Sequence, residues 1–116
     1  MNLRLITAGA LGATGVALGA FGAHALKVQL GQIPEALAWW NTATTYLLIH
    51  AVAVGAISGG GRWSTIFWSI GAVIFSATLF AMALGAPRWL GAITPLGGSL
   101  LILGWLSLLI AGTRKE

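Results

Sequence analysis

The chain has 116 residues, 58% of them hydrophobic and 7% charged, with a net charge of +4. Soluble domains carry about 25% charged residues, so this composition cannot cover a fold with a water-exposed surface, and the absence of cysteine excludes disulfides, thiolate chemistry and cysteine-ligated metals. In a soluble protein the basic balance would point to nucleic acid; here it is read as membrane topology and contact with anionic lipid, with no nucleic-acid partner.

The charges are Arg4, Lys27, Glu35, Arg62, Arg88, Arg114, Lys115 and Glu116, and they leave charge-free runs at 5–26, 36–61, 63–87 and 89–113. At 1.5 Å per residue each run reaches roughly 33–39 Å, enough for a hydrocarbon core of about 30 Å. Backbone polar groups must be paired inside lipid, so each run predicts a helix. The expectation is an all-α integral membrane protein: a single membrane domain, 1–116, with four transmembrane helices (about 3–26, 35–58, 63–84 and 95–112). They would form an up-down bundle with helix 1 most buried.

The first run begins after Arg4 and ends near Ala23-His24-Ala25, which mimics a leader peptide with its cleavage site; it is read as the first membrane helix. Gly12, Gly15, Gly19 and Gly22 follow one another at spacings of 3, 4 and 3 and share roughly a quarter of that helix's surface. A bare stripe lets a neighbouring backbone approach closely, which replaces the missing hydrophobic drive between helices in lipid. The row either holds one bundle together or pairs two protomers. Ala13, Ala17, Ala20 and His24 make the opposite face small too, hence the expectation that this helix is central. Its partner stripe is sought on helix 3, at Thr65, Ser69, Ala72 and Ser76, or on helix 4, at Gly97, Gly104 and Ala111.

The link 27–34, "KVQLGQIP", leads to Pro34, which suits the first turn of helix 2. Asn41, Thr42, Thr44 and Thr45 make the outer half of helix 2 the most polar stretch of any span, and Tyr46 precedes His50 by one turn. Gly59-Gly60-Gly61 forms a tight turn into helix 3, and Gly85-Ala86-Pro87 ends it. Thr94-Pro95 reads as an N-cap followed by proline at the first helical position, with 88–93 lying along the interface. Trp39, Trp40 and Trp89 are assigned to the outer boundary, Trp63 to the inner one, and Trp68 and Trp105 to deeper levels. Arg4, Arg62, Arg114 and Lys115 share one side, and the positive-inside rule puts both termini in the cytoplasm of an inner (plasma) membrane.

Two histidines are the chemistry-bearing residues of the spans. Each is either a neutral, hydrogen-bonded fixture or a proton-responsive, ligand-contacting group. In straight antiparallel helices they differ in depth by roughly 10–15 Å, which argues against a bis-histidine haem or a shared metal. The chain has no Asp, and its two Glu are Glu35 and the terminal Glu116. No carboxylate pair, catalytic triad or phosphate loop can be assembled, so no enzyme, cofactor or metal is expected.

"GAFGAHALK" (19–27), "WWNTATTYLLIHA" (39–51), "FSATLF" (75–80), "ITPLGG" (93–98) and the following "GW" (104–105) together resemble domain-of-unknown-function family 423, small bacterial inner-membrane proteins related to eukaryotic transmembrane protein 256. The resemblance covers nearly the whole chain and implies a compact multi-span membrane protein, with no catalytic residues to carry over. Its motifs fall on Gly19, Gly22, His24 and Lys27; on Trp40, Thr42, Ala43, Tyr46 and His50; on Phe75, Ser76 and Leu79; and on Thr94, Pro95, Gly97 and Gly98. Ala77, Thr78 and Phe80 stand where the usual tract has Gly, Ser and Tyr.

The sequence thus predicts a non-enzymatic scaffold or accessory protein acting through helix packing with itself, another membrane protein or membrane lipid. Gly12, Gly15, Gly19, Gly22, Gly97, Gly98 and Gly104 would carry the packing. The alternative is small-solute, proton or lipid binding and transport through an outward-facing pocket near His24 and His50, with Thr42, Tyr46, Ser76 and Thr94 completing the polar network.

Overall fold

The computed structural model describes residues 1–114; Lys115 and Glu116, two of the charges counted above, lie outside the described residues. The elements in chain order are α1 (Leu3–Ala23), α2 (Lys27–Leu30), α3 (Ala36–Ala56), α4 (Gly61–Ala83), a 3-10 turn (Arg88–Ala92) and α5 (Thr94–Arg114). Among the described residues, three helical segments are long and apolar enough to cross a membrane: Leu3–Ala23, Gly61–Ala83 and Arg88–Arg114. α3 has the length, 21 residues, and no charge. Its asparagine, threonines, tyrosine and histidine hold its mean hydropathy down.

The local signals explain most element ends. Asn2 caps α1, its side-chain oxygen accepting from the Leu5 N–H at 3.1 Å. α4 closes in a Schellman motif: Gly85 N–H donates to the Met82 carbonyl at 3.0 Å and Ala86 N–H to the Ala81 carbonyl at 2.9 Å. Gly85 supplies the positive φ, +105°, that this motif requires. Two expected starts are corrected. Pro34 lies in the turn ahead of α3, and Glu35 is the cap residue, in the left-handed region at φ 75°. Thr94 already belongs to α5, so Pro95 is its second residue, and the Thr94 hydroxyl bonds elsewhere than to the helix's free N–H groups.

Packing follows chain order. α1 packs on α3, α3 on α4 and α4 on α5. The contacts between α1 and α3 run Ala8 to Gly55, Gly12 to Ala51, Gly15 to Leu48, Gly19 to Thr44 and Gly22 to Trp40. Residue numbers rise on one helix as they fall on the other, so the pair is antiparallel. The same holds for α4 and α5, where Trp68 meets Gly104, Gly71 meets Leu101 and Phe75 meets Gly97.

This order overturns the expectation that the first helix is the most buried. α1 buries only Leu11, Gly15 and Gly22, whereas α3 buries eight residues, Ala36, Trp40, Ala43, Leu47, His50, Ala51, Ala53 and Val54. α4 is buried to a similar degree. A helix with a smooth stripe docks one face well, but nothing in that stripe places a second helix on its other side. The glycine row of α1 also chooses α3 rather than the stripes sought on the third and fourth spans, because the short 24–35 link holds those two helices together. Trp40, expected at the membrane boundary, is buried among the helices at 2% exposure. Its indole occupies the space that Gly22 leaves open and packs edge-on against Phe80, centroids 4.5 Å apart.

Candidate functional site

An apolar helix leaves its few polar side chains little choice of partner. Inside lipid they bond to a neighbouring helix, to their own backbone, or remain costly. In this protein a set of them crosses every helix interface. Arg4 Nη1 on α1 donates to the Val54 and Gly55 carbonyls at 3.2 and 2.8 Å. These are among the orphan acceptors at the C-terminal end of α3, where a cation also meets the negative end of the helix dipole. Trp40 Nε1 donates to the Leu18 carbonyl at 2.7 Å, joining α3 back to α1 near the other end. Ser76 Oγ donates to the Ala43 carbonyl at 3.2 Å, joining α4 to α3.

His50 lies at the centre of this set. Its Nδ1 lies 2.7 Å from the Tyr46 carbonyl, and its Nε2 accepts from Trp105 Nε1 at 3.0 Å. A carbonyl only accepts and an indole N–H only donates. The neutral imidazole with its proton on Nδ1 therefore satisfies both neighbours at once, and it links α3 to α5 across the edge of α4. Trp68 and Trp105 pack together at 4.7 Å, and His50 lies within 5.8 Å of the Trp105 ring, giving an aromatic cluster in which Trp68 and His50 are buried and Trp105 forms the exposed edge. The Trp68 indole, 0% exposed, has its Nε1–H without a hydrogen-bond partner among the described residues.

The threonine at the start of α5 bonds sideways. Thr94 Oγ1 and Thr78 Oγ1 are 2.6 Å apart; Thr94 also lies 3.2 Å from the Leu90 carbonyl of the preceding 3-10 turn, and Thr78 2.9 Å from the Ile74 carbonyl of its own helix. One hydroxyl donates to its carbonyl and the other to its fellow hydroxyl. Thr78 thus brings a hydroxyl to the α4–α5 contact, and Phe80 packs on Trp40 without needing a partner for an O–H.

The six residues expected to form one polar network do not converge. His24 is exposed just beyond the end of α1, Thr42 is exposed on α3, and Tyr46 is 43% exposed. Tyr46 reaches His50 through its backbone carbonyl, while its ring packs on Phe75 at 4.9 Å. His50, Ser76 and Thr94 are buried, each at a different helix interface. The seven glycines expected to carry packing lie at α1–α3 and α4–α5 contacts; Gly12 and Gly98 have room, with Ala51 Cβ 3.8 Å and Phe75 ring atoms 3.6 Å from where a Cβ would stand.

At the end of the bundle where α3 and α5 begin, Arg88 pairs with Glu35 at 3.4 Å and lies 5.3 Å from the Trp39 ring centroid. Both charged side chains are well exposed, so the pair contributes at most about 1 kcal/mol. Beneath it, Trp39, Phe75, Met82, Thr94 and Pro95 line a cleft of about 360 Å³. Neither His24 nor His50 lines it.

Sequence reasoning missed Trp105 as the partner of His50, and Arg4 as the cap of α3. The signal for Arg4 was present: two antiparallel helices joined by a short link place residues near 4 beside residues near 55. Nothing in the sequence marks the indole that reaches His50, because that register depends on how far α4 and α5 approach.

Comparison with known proteins bears on the fold as a whole. A family model described as protein of unknown function (DUF423) matches residues 18–98. A UPF0382 membrane protein of Staphylococcus epidermidis is 43% identical over 114 residues, which cover 91% of this chain and 92% of the relative. A UPF0382 membrane protein of Schizosaccharomyces pombe is 36% identical over 109 residues, covering 85% and 92%. The UPF0382 inner membrane protein YgdD of Escherichia coli is 33% identical over 120 residues, covering 97% and 90%. No solved structure matches the chain. With its apolar helices, its four sequence motifs in order and relatives matched along nearly their whole length, the chain belongs to the DUF423 family of membrane proteins.

Proposed function

We propose that this protein is a non-enzymatic scaffold or accessory protein of the inner membrane, acting through helix packing with itself, a membrane partner or lipid. In this reading α3 also crosses the bilayer, giving four spans with both termini in the cytoplasm. The observation that carries the reading is where the polar groups go. Arg4, Trp40, His50, Ser76, Thr94 and Trp105 all bond within or between helices, which leaves outward faces rich in large apolar side chains such as Ile49, Val52, Ile70, Val73, Ile102 and Leu109. α1 supports it further: Gly9, Ala13, Ala17 and Ala20 are exposed along the face turned away from α3. No cofactor, metal or nucleic acid enters this reading. Crosslinking of the full chain in native membranes should trap a defined oligomer or a defined membrane partner. A protomer that stays solitary in every lipid tested would overturn the reading. The topology has its own test, because the native chain lacks cysteine: single cysteines at Ser58 and Gln32 should label from opposite sides of the membrane.

The cleft under Arg88 favours a second reading, binding or transport of a small solute, a proton or a lipid from the outer side. Four short helices leave little room for a pathway in one protomer, so transport would need an oligomer. Flux into liposomes that Arg88→Gln abolishes would support it, and absence of both flux and ligand-dependent thermal shift would dismiss it.

A further inference from the structure

The two ends of the molecule treat their arginines differently. At one end Arg88 has a carboxylate beside it, Glu35, which is the sole carboxylate among the described residues. At the other end Arg4 and Arg62 line one cleft of about 290 Å³ together with Ser58, Gly61 and Thr65. Two arginines line that cleft with no described acidic group to offset them, and like charges in one cleft repel.

Both cations are already oriented. Arg4 is half-buried and uses Nη1 on the Val54 and Gly55 carbonyls, which leaves its Nη2 and Nε donors available. Arg62 lies over the Trp63 ring, 5.4 Å from its centroid, and Trp63 is itself exposed as an interfacial anchor would be. The side-chain hydroxyls of Ser58 and Thr65 have no hydrogen-bond partner among the described residues, so each has a proton to donate. A left-handed Gly61, φ +69°, turns the chain tightly enough to bring Ser58 and Thr65 to the same cleft.

Two guanidinium forks and two free hydroxyls match the oxygens of a phosphate, whose geometry suits arginine better than any other cation. The source of that phosphate follows from what surrounds the cleft. Exposed apolar side chains of the same two helices, Leu5 on α1 and Ile66 and Ile70 on α4, begin within two turns of it. We infer that the cleft between the starts of α1 and α4 is a binding site for the phosphodiester headgroup of an anionic phospholipid, with the acyl chains lying along the apolar flanks below. Basic clefts at helix ends bind anionic headgroups through the same chemistry. This inference rests on the membrane placement of α1 and α4, and it holds whether or not the protein meets a protein partner.

The test uses the full chain in a neutral detergent, titrated with a phosphatidylglycerol, a phosphatidylcholine of the same chains, and inorganic phosphate, with bound lipid read by native mass spectrometry. Phosphatidylglycerol should bind at least tenfold more tightly than phosphatidylcholine. Arg62→Gln should reduce that preference about tenfold, the loss expected for one charge-assisted hydrogen-bonding group. Arg62 is exposed and makes no interhelical bond, so this variant does not disturb folding as Arg4→Gln would; Thr65→Ala should give a smaller loss in the same direction. Arg88→Gln, at the other end, should leave the preference unchanged. Equal binding of the two lipids, a preference unaffected by Arg62→Gln, or one lost equally in Arg88→Gln would overturn the inference. Inorganic phosphate binding as tightly as phosphatidylglycerol would overturn the lipid assignment. A chain that failed to enter phosphatidylcholine vesicles at all would overturn this inference and the membrane reading beneath it together, whereas missing crosslinks would count against the scaffold reading only.

Discussion

Gly97→Ala adds one methyl group at the closest approach of α4 and α5. The new Cβ would stand 2.5 Å from the Phe75 nitrogen, 2.9 Å from the Phe75 Cα and 2.9 Å from the Gly71 carbonyl oxygen. Comfortable separations begin near about 3.5 Å, and all three atoms are backbone, so no rotamer change relieves the overlap. The helices must part by about 1 Å. Overpacking of this kind costs about 1–3 kcal/mol, and a backbone clash belongs at the upper end. The parting also stretches the Thr78–Thr94 bond, a group worth about 0.6 kcal/mol in membrane helices. Alanine's better helix propensity returns about 1 kcal/mol. The net loss is about 2–3 kcal/mol, or a 30- to 150-fold fall in the folded-to-unfolded ratio. Reversible unfolding in mixed micelles would measure it, with Gly98→Ala as internal control. At Gly98 the added Cβ meets only Phe75 ring atoms, at 3.6 and 3.7 Å, so that variant should be neutral or slightly stabilised. Native-like stability of Gly97→Ala, or equal losses in the two variants, would refute the close-approach argument.

Three further outcomes are expected. His50→Phe and Trp105→Phe should each destabilise the protein, and the double variant should lose less than the two single losses added, with a coupling of about 0.6–1.7 kcal/mol in a double-mutant cycle; strict additivity would mean that the 3.0 Å bond between them contributes nothing. Arg4→Gln should expose the carbonyls at the end of α3 and fray that end by about 1 kcal/mol, seen as faster amide exchange at Ala56 and Ile57 with exchange at Leu47 unchanged. Glu35→Gly should be more stable than Glu35→Ala by about 1 kcal/mol in thermal unfolding, because both lose the pair with Arg88 but only glycine relieves the left-handed backbone at φ 75°.

Much of this architecture is legible along the chain. Charges at Arg4, Lys27, Glu35, Arg62 and Arg88 delimit the helices because an ion is costly in hydrocarbon wherever the helix puts it. Gly85 marks the end of α4 because only a residue without a Cβ enters that φ cheaply. Glycines at spacings of three and four announce a close contact because the helical repeat puts them on one face. These are properties of a single helix, or of one residue and the lipid around it.

The identity of the partner is another matter. A bare stripe states how near a neighbour can come and is silent on which neighbour, so the row on α1 fits a stripe on α4 as well in principle as the face of α3 that it meets. The short link decided between them, and it also buried Trp40 against α1, since the gap at Gly22 takes an indole. His50 was visible as an oddity in oil. Its role became definite only when packing brought the Trp105 N–H to Nε2, a distance that no pattern of residue types encodes because it is set jointly by two helix contacts, α3 on α4 and α4 on α5, and by the depth at which the glycines let them settle.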